Sequence, residues 1–238
     1  MPVNNKNSIS VVIITKNEEE VIERCIKSCS AFDEIIVVDS GSTDKTIDIA
    51  TQNGAKVISK TWLGFGRQKQ FAVTNAKNDW IMSIDADEYL SEELLLEILN
   101  LNLHPKEFAF KINRRSFLLG KPVRFSGWNP DWVVRVFNRK ICRFSNVDVH
   151  EKVIGASKEV KLKKLLYHTP FRTNESIQKK IHLYGQLGKQ NRSKIKNKYL
   201  SAGWSFIRTY IFKLGLLDGI TGFKVALINA KISWIKYS

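Results

Sequence analysis

The sequence predicts an α/β fold with a mostly parallel, Rossmann-like sheet, helices on both of its faces, and a basic helical extension at the C-terminus. Short β-branched runs alternate with segments of helical periodicity over residues 1–103, which is the pattern of a parallel sheet crossed by helices. Over residues 104–171 the alternation weakens, and residues 172–238 are strongly basic with helical spacing. We therefore expect one domain over residues 1–171, made of these two halves, followed by the tail.

Each expected element follows from the spacing of apolar residues. Short apolar or β-branched runs predict strands, and apolar side chains that recur every three or four positions predict helices. Strands are expected at residues 9–14, 35–38, 55–58 and 80–84, and helices at 21–29, 45–52, 68–76 and 91–101. Further along, short strands are expected at 108–112, 133–137 and 147–149, and the helical pattern returns from residue 174.

Polar side chains follow three of the expected strands at the point where each strand ends. Asn17 and Glu18 follow the first strand, Asp39 follows the second, and Asp85 and Asp87 follow the fourth. In parallel α/β sheets, ligands bind in the crevice beyond the carboxyl ends of the strands. We therefore expect a ligand site at this edge of the sheet.

Asp85 and Asp87 form an Asp-x-Asp motif directly after an apolar run. In an extended segment, residues two apart point to the same side, so both carboxylates can face one site. Magnesium and manganese prefer oxygen ligands, and they commonly bind one or two carboxylates together with substrate phosphates. The motif predicts a Mg²⁺ or Mn²⁺ site, and a solvated acidic loop is the alternative.

The positive charge is concentrated in the tail. The chain has 38 basic and 23 acidic residues, a net charge of +15, and residues 172–238 hold 13 basic and 2 acidic residues. Aromatic residues are interleaved with these cations, a combination suited to an anionic membrane surface. The longest apolar stretch, residues 202–235, is interrupted by charges, so we expect it to lie on a membrane rather than cross it. A helical cap with a solvated basic face is the alternative.

The cysteines and the N-terminus favour a reducing cytoplasm. Cys25, Cys29 and Cys142 are odd in number and lack zinc-ligand spacing, so we expect buried structural thiols. No signal-peptide pattern precedes the first strand. With the basic tail, these features predict a peripheral protein on the inner face of the cytoplasmic membrane. A nucleic-acid-binding protein would share the charge, but no such motif is present, and the acidic cluster at residues 85–88 is unsuited to a phosphate groove.

Three ordered motifs resemble those of family 2 glycosyltransferases with the GT-A fold: VVIITKNE at residues 11–18, IVVDSGSTD at 36–44 and IDADE at 84–88. The resemblance covers the first half of the predicted domain, and it implies a UDP-sugar donor and a divalent metal. The residues implied to border the nucleotide are Thr15, Asn17 and Glu18, with Asp39 accepting a hydrogen bond from uracil, Asp85 facing the ribose and Asp87 holding the metal. An N-cap role for Asp39 is the alternative, although Asp44 fits that role better.

A glycine-rich segment before the third expected helix adds two cations. Residues 64–69 read GFGRQK, and Arg67 or Lys69 could contact the diphosphate at this helix start. We predict Arg67 as a nucleotide-binding residue. A solvated basic helix start is the alternative.

Looser motifs in the rest of the chain are similar to those of bacterial glucosyltransferases that extend the inner core of lipopolysaccharide. They are GWNPD at residues 127–131, RVF at 135–137, VHE at 149–151, YH at 167–168 and GLLDG at 215–219. The resemblance implies transfer of a hexose, glucose in preference to galactose, from a UDP-sugar to a hydroxyl group of a lipid-linked glycan. The alternatives are another envelope acceptor, polyprenyl-linked or capsular, and a sugar-nucleotide-binding module without catalysis.

The mechanism implied is inversion by direct displacement, in which a carboxylate accepts the proton of the attacking hydroxyl while the metal stabilises the departing diphosphate. We predict Glu151 as this base, and Asp131, in a Trp-rich loop, is the competing candidate. His168 is predicted as a further metal ligand and His150 is a second candidate, and a hydrogen-bonded structural histidine is the alternative for each. Arg135 has the geometry to bind a phosphate or an acceptor carboxylate through two hydrogen bonds, and an ordinary surface ion pair is the alternative.

Overall fold

The computed structural model of the chain describes residues 8–146, 151–190 and 197–238. Within these residues the chain forms two compact units. The first comprises the residues up to Asn113 together with Trp132–Tyr167, and the second comprises Arg114–Asp131 and His168–Ser238. The second unit therefore combines the tail with a segment from the middle of the chain. The predicted division after residue 171 remains a prediction.

Strands and helices alternate through the first hundred residues as predicted, and helices dominate the tail. In chain order the elements are β1 (Ile9–Thr15), α1 (Ile22–Ser28), β2 (Glu34–Asp39), α2 (Thr46–Gln52), β3 (Lys56–Ser59), α3 (Phe65–Thr74), β4 (Trp80–Asp85), β5 (Glu88–Leu90), α4 (Glu92–Leu99), β6 (Phe108–Leu118), β7 (Lys121–Pro122), β8 (Trp132–Asn138), β9 (Arg143–Phe144), β10 (Val153–Ile154), β11 (Lys158–Phe171), α5 (Asn174–Gln190), α6 (Lys198–Ile207), a π-helical turn (Arg208–Phe212), a 3-10 turn (Gly215–Asp218) and α7 (Ile220–Tyr237).

The main sheet is mixed, and its strand order is β3-β2-β1-β4-β8-β6-β11-β5. Strands β3, β2, β1 and β4 are parallel, whereas β8 runs antiparallel to both β4 and β6. The parallel half brings the carboxyl ends of β1, β2 and β4 to one edge, and the register pairs Thr15 with Asp39 and Ile14 with Asp85. The predicted α/β class is therefore confirmed, and the sites predicted at the strand ends share one edge.

Every residue of β1 is buried because helices cover both faces of the sheet. Val11 and Ile13 pack in one core cluster with residues of α1. Val12 and Ile14 point the other way, into a second cluster with residues of α3. A strand buried on both faces has a continuous apolar run rather than an alternating one, which is the pattern of this strand.

Several bounds differ from the prediction. Helix α3 begins at Phe65 rather than at residue 68. The prediction missed its first turn because that turn is partly exposed and carries no apolar periodicity. Strand β6 continues six residues beyond the predicted end at 112. The 14-residue strand β11 was not predicted, since lysines at its exposed positions hide the alternation. The strand predicted at 147–149 lies outside the described residues.

The second unit has a small core of its own. Leu118, Phe171, Ile181 and Val225 belong to one cluster that joins the ends of β6 and β11 with α5 and α7. Gly222 of α7 lies so close to the 3-10 turn that an added Cβ would stand 1.8 Å from a backbone oxygen of that turn. The predicted helical C-terminal extension is thus confirmed, and its helices α5 and α7 pack in this core. Among the described helices, none has both the length and the hydropathy needed to cross a bilayer.

The three cysteines are buried and unpaired, as predicted. Burial raises the pKa of Cys29 to about 12 and the pKa of Cys25 well above its usual value. Both thiols therefore stay protonated at neutral pH, which suits structural rather than nucleophilic groups.

Candidate active site

The loops that follow β1 and β2 are tied to each other by hydrogen bonds. The backbone amide of Asn17 donates to Ser42 Oγ at 2.8 Å, and the Asn17 side-chain oxygen accepts from the amide of Thr43 at 2.8 Å. The amide of Glu18 donates to Thr46 Oγ1 at 2.8 Å. Asn17 adopts a φ of 54°, a conformation that asparagine tolerates better than most residues. The two predicted nucleotide loops therefore form one connected structure.

Asp39 shapes the second loop from within. Its side chain is 1% exposed, and Oδ2 accepts from the amides of Gly41 and Ser42 at 2.8 and 2.9 Å. The Ser42 hydroxyl donates to Oδ1. An ionised carboxylate has about four acceptor positions, so these three bonds leave acceptor capacity. The N-cap alternative is not what the bonds indicate, since Asp44 Oδ1 accepts from the amide of Thr46 at the start of α2.

Thr15 ends β1 beside Asp39 in the sheet register. Its side chain is buried, and in the described part of the chain its hydroxyl has no hydrogen-bond partner. A buried polar group without a partner is unusual and often indicates a site that a ligand or water completes. This position agrees with the predicted nucleotide-binding role of Thr15.

The acidic motif differs in detail from the prediction of an extended segment. Asp85 ends β4, whereas Ala86 and Asp87 form the turn that leads into β5. The exposure nevertheless alternates, because Asp85 and Asp87 are partly exposed while Ala86 and Glu88 are buried. Both aspartate carboxylates are therefore accessible at the same edge of the sheet.

A chain of alternating charges runs through this edge. Lys69 Nζ of α3 lies 2.7 Å from Glu151 Oε1 and 2.9 Å from Asp85 Oδ1. Arg135 Nη2 of β8 lies 2.9 Å from Asp85 Oδ2 and also forms an ion pair with Glu88 Oε1. The other oxygen of Glu88 accepts from the amide of Asp85 at 3.0 Å. The order along the network is thus Glu151, Lys69, Asp85, Arg135, Glu88.

The two cations of this network are nearly as buried as the core. The side chains of Lys69 and Arg135 are 4% and 6% exposed, and that of Glu88 is 0% exposed. Buried charges are tolerated when they are paired and hydrogen-bonded. Two buried cations therefore hold the partly exposed carboxylates of Asp85 and Glu151 in place.

The network changes the relative weight of the residues named from the sequence. Lys69, the less favoured of the two cations in α3, contacts both Asp85 and Glu151, whereas Arg67 is exposed. Arg135 forms ion pairs with Asp85 and Glu88, but its side chain is buried, so these are not the surface ion pair considered for it. Glu88 had no predicted role, although its place directly after the Asp-x-Asp motif was a signal that it belonged to the site.

The donor set fits a hard divalent cation. Asp85 and Asp87 offer carboxylate oxygens, which magnesium and manganese prefer. In the ranges that the structure describes, no three His, Cys, Asp or Glu side chains are grouped so as to hold a metal by themselves. Magnesium commonly binds one or two carboxylates together with the phosphate oxygens of a ligand.

The remaining candidates lie in the second unit or outside the described residues. His168 Nδ1 lies 3.0 Å from Ser116 Oγ, a hydrogen bond that fits the structural alternative. Its role as a metal ligand stays a prediction, and His150 lies outside the described residues. Asp131, the competing base, receives hydrogen bonds from Arg114 Nε and Nη2 at 2.8 and 2.7 Å. Both candidate bases are thus paired with a cation, Glu151 in the first unit and Asp131 in the second.

Two sequence relatives cover nearly the whole chain. The chain is 35% identical over 245 residues to an uncharacterized glycosyltransferase of Rickettsia bellii (strain RML369-C), covering 93% of this chain and 82% of the relative. It is 29% identical over 252 residues to the lipopolysaccharide core biosynthesis glycosyltransferase LpsC of Rhizobium meliloti (strain 1021), covering 97% of this chain and 90% of that protein.

Two solved structures of glycosyltransferases show partial similarity to the chain. Glucosyl-3-phosphoglycerate synthase from Mycobacterium tuberculosis, in complex with Mn²⁺, UDP and glucosyl-3-phosphoglycerate, is 28% identical with a TM-score of 0.38, over 48% of this chain and 46% of that one. S. aureus TarS is 16% identical with a TM-score of 0.49, over 90% of this chain and 46% of that one. The mixed sheet with flanking helices is the predicted GT-A architecture. Because residues 10–143 also match the glycosyl transferase family 2, the chain belongs to that family.

Proposed function

We propose that this glycosyltransferase is an inverting enzyme that transfers a hexose, glucose by preference, from a UDP-sugar to a hydroxyl group of a lipid-linked glycan of the lipopolysaccharide core. The observation that carries the proposal is the set of acidic residues at the carboxyl ends of β1, β2 and β4, among which Asp85 forms ion pairs with Lys69 and Arg135. The relative named as a lipopolysaccharide core biosynthesis glycosyltransferase supports the acceptor class.

The nucleotide is proposed to bind at the two connected loops. Asp39 has acceptor capacity for the imide N–H of uracil, which favours UDP over purine nucleotides. The orphan hydroxyl of Thr15 lies at the same edge, where it can bond to the nucleotide. Asn17 and Glu18 border this crevice, and Asp85 is proposed to face the ribose. Arg67 remains a candidate for the diphosphate.

A divalent metal held by Asp87 supplies positive charge against the departing diphosphate when it is bound. His168 stays a candidate for a further ligand on the family resemblance alone. The chain's own contribution is to place a proton acceptor. Glu151 is proposed to accept the proton of the attacking hydroxyl, and the 2.7 Å ion pair with Lys69 fixes its position. Asp131 is the competing base, held in turn by Arg114.

The tail is proposed to rest on the inner face of the cytoplasmic membrane. Large apolar side chains stay exposed beside the tail's lysines, among them Leu200 at 75%, Phe212 at 67% and Ile220 at 74%. Exposed apolar groups next to cations suit an anionic lipid surface. A lipid-linked acceptor would be reached from this position.

Calorimetric titration tests the central claim. UDP, UDP-glucose, UDP-galactose and GDP-mannose are titrated with and without Mn²⁺ into the native chain, Asp87→Ala and the control Asp48→Ala, which removes an exposed carboxylate of α2. We expect metal-dependent UDP binding that is lost only in Asp87→Ala, with added affinity from glucose. No nucleotide binding under either condition would refute the proposal.

Turnover separates catalysis from simple binding. A competent transferase also transfers the sugar slowly to water, so UDP release from UDP-glucose without acceptor is expected in the native chain. Binding of UDP-glucose without any release would favour the alternative of a non-catalytic module. Activity on polyprenyl-linked or capsular acceptors, and none on lipopolysaccharide core, would favour the alternative envelope acceptor.

A further inference from the structure

A cavity of about 510 Å³ lies within the second unit, and none of the catalytic, nucleotide-binding or metal-binding candidates lines it. Its walls are the loop at residues 126–128, helices α6 and α7, and the π-helical turn between α6 and the 3-10 turn. Small-molecule sites commonly have volumes of roughly 300–1,000 Å³. The cavity is therefore large enough for a saccharide.

The charged side chains that line the cavity are all positive. Among the described residues, Arg208, Lys213 and Lys236 line the cavity, and no acidic side chain does. Neither Arg208 nor Lys213 forms an ion pair within the described residues. The Lys213 side chain lies against the loop, since a Cβ on Gly127 would stand 2.4 Å from its Nζ. Cations grouped in a cleft without carboxylates attract an anion.

The walls are held in place by specific contacts. Asp218 accepts from the amides of Arg124 and Phe125 at 3.0 and 2.9 Å, which fixes the loop that carries Trp128. The side-chain amide of Asn229 donates to Thr209 Oγ1 at 3.2 Å within the wall. Arg208 begins a π-helical turn, a rare conformation that is frequent at functional sites. Hydrogen bonds within the second unit therefore hold the walls of the cavity in position.

Two indole rings and several hydroxyl groups complete the lining. Trp128 stacks on Phe171 with ring centroids 5.0 Å apart, and Trp204 is largely exposed. Indole rings offer apolar faces to sugar rings and one N–H donor each. Lining serines offer further hydrogen bonds.

We propose that this cavity binds a phosphate group carried on a sugar. The guanidinium of Arg208 and the ammonium of Lys213 bind the phosphate oxygens by charge-assisted hydrogen bonds, and the indole rings contact the sugar. Assigning the sugar phosphate to the glycolipid acceptor rests on the proposed function, whereas binding of a sugar phosphate as such does not.

Titration of the full chain without donor tests the proposal. The probes are glucose 6-phosphate, glucose and inorganic phosphate. The variant Arg208→Ala/Lys213→Ala removes the two lining cations that form no ion pair with any described residue. The variant Lys224→Ala/Lys231→Ala removes two exposed lysines of α7 that do not line the cavity. We expect glucose 6-phosphate to bind more tightly than either other probe. The cavity variant should lose roughly tenfold or more in affinity and the control should lose little.

The proposal is overturned if the two variants lose the same affinity for glucose 6-phosphate. It is also overturned if glucose 6-phosphate does not bind to a native chain whose circular dichroism spectrum shows that it is folded. UDP titration of the same samples reports separately on the donor site. UDP binding without glucose 6-phosphate binding refutes this inference alone, and the converse refutes only the proposed function.

Vesicles distinguish a sugar phosphate from a membrane headgroup. Cosedimentation uses phosphatidylglycerol vesicles, with phosphatidylcholine vesicles as the uncharged comparison. Under the proposal, both double variants lose vesicle binding to a similar extent, since each removes two positive charges. Loss confined to Arg208→Ala/Lys213→Ala, with no affinity for glucose 6-phosphate, would assign the cavity to phospholipid and overturn the proposal.

Discussion

Replacing Arg135 by methionine is expected to destabilise the chain strongly. Arg135 is paired with Glu88, whose side chain is 0% exposed, and with the partly exposed Asp85. Removing one partner of a buried ion pair costs about 3–5 kcal/mol because the other charge stays buried and uncompensated. Asp85 adds little to this figure, since water can screen its exposed carboxylate. The free energy of unfolding should therefore fall by about 3–5 kcal/mol.

Glu88→Gln gives the second arm of a double-mutant cycle. Glutamine keeps an oxygen for the amide of Asp85, and Arg135 keeps Asp85 as a partner, so we expect a loss of about 1–2 kcal/mol. The double variant leaves no buried charge of this pair unmatched. Its loss should be smaller than the sum of the two single losses by roughly 1–3 kcal/mol.

Urea unfolding followed by tryptophan fluorescence and circular dichroism measures these free energies. Arg143→Met serves as the matched control, because Arg143 is exposed and surface changes usually stay within about 0.5 kcal/mol. If the losses of Arg135→Met and Glu88→Gln add within about 0.5 kcal/mol, the two residues are not energetically coupled, and the reasoning from burial is wrong.

Three further predictions concern other parts of the chain. Lys69→Met, which removes the cation between Glu151 and Asp85, should lower kcat more than it lowers UDP affinity. Steady-state kinetics with parallel UDP titration measure both quantities, and a change in affinity alone would contradict the prediction. Gly222→Ala should destabilise the second unit by more than about 3 kcal/mol in thermal unfolding, because the new Cβ would stand 1.8 Å from the Gly215 oxygen. The control Gly203→Ala has open space around the new Cβ and should stabilise its helix by about 0.5–1 kcal/mol. Asp218→Ala leaves two loop amides without their acceptor and should cost about 1–3 kcal/mol; unchanged urea stability would show that water replaces the carboxylate.

Local signals made the parallel half of the sheet predictable. Strand β1 is buried on both faces, so its β-branched run could be read without knowing its neighbours. The polar residues at the ends of β1, β2 and β4 follow from the same reasoning, because parallel topology places strand ends together. That is why Asp39 and Asp85 could be predicted at one edge from the sequence, whereas Thr15 was implied only by the family resemblance.

Pairing between distant segments was not predictable. Arg135 meets Asp85 because β8 lies antiparallel beside β4, and no local pattern specifies that neighbour. Lys69 reaches Glu151 across 82 positions of the chain, and the exposed first turn of α3 gave no sign that its next residues face inward. The lysine-rich strand β11 was not predicted either, because long side chains at its exposed positions obscure the alternation of buried and exposed residues.

The hydrogen bonds between the loops after β1 and β2 bear on how a ligand would be received. Asn17 and Glu18 are joined to Ser42, Thr43 and Thr46 by bonds that form when the chain folds. The conformational entropy of these loops is therefore lost when the chain folds and not when a ligand binds. A nucleotide that binds here would therefore lose less free energy to loop ordering than one that binds to loops without these bonds.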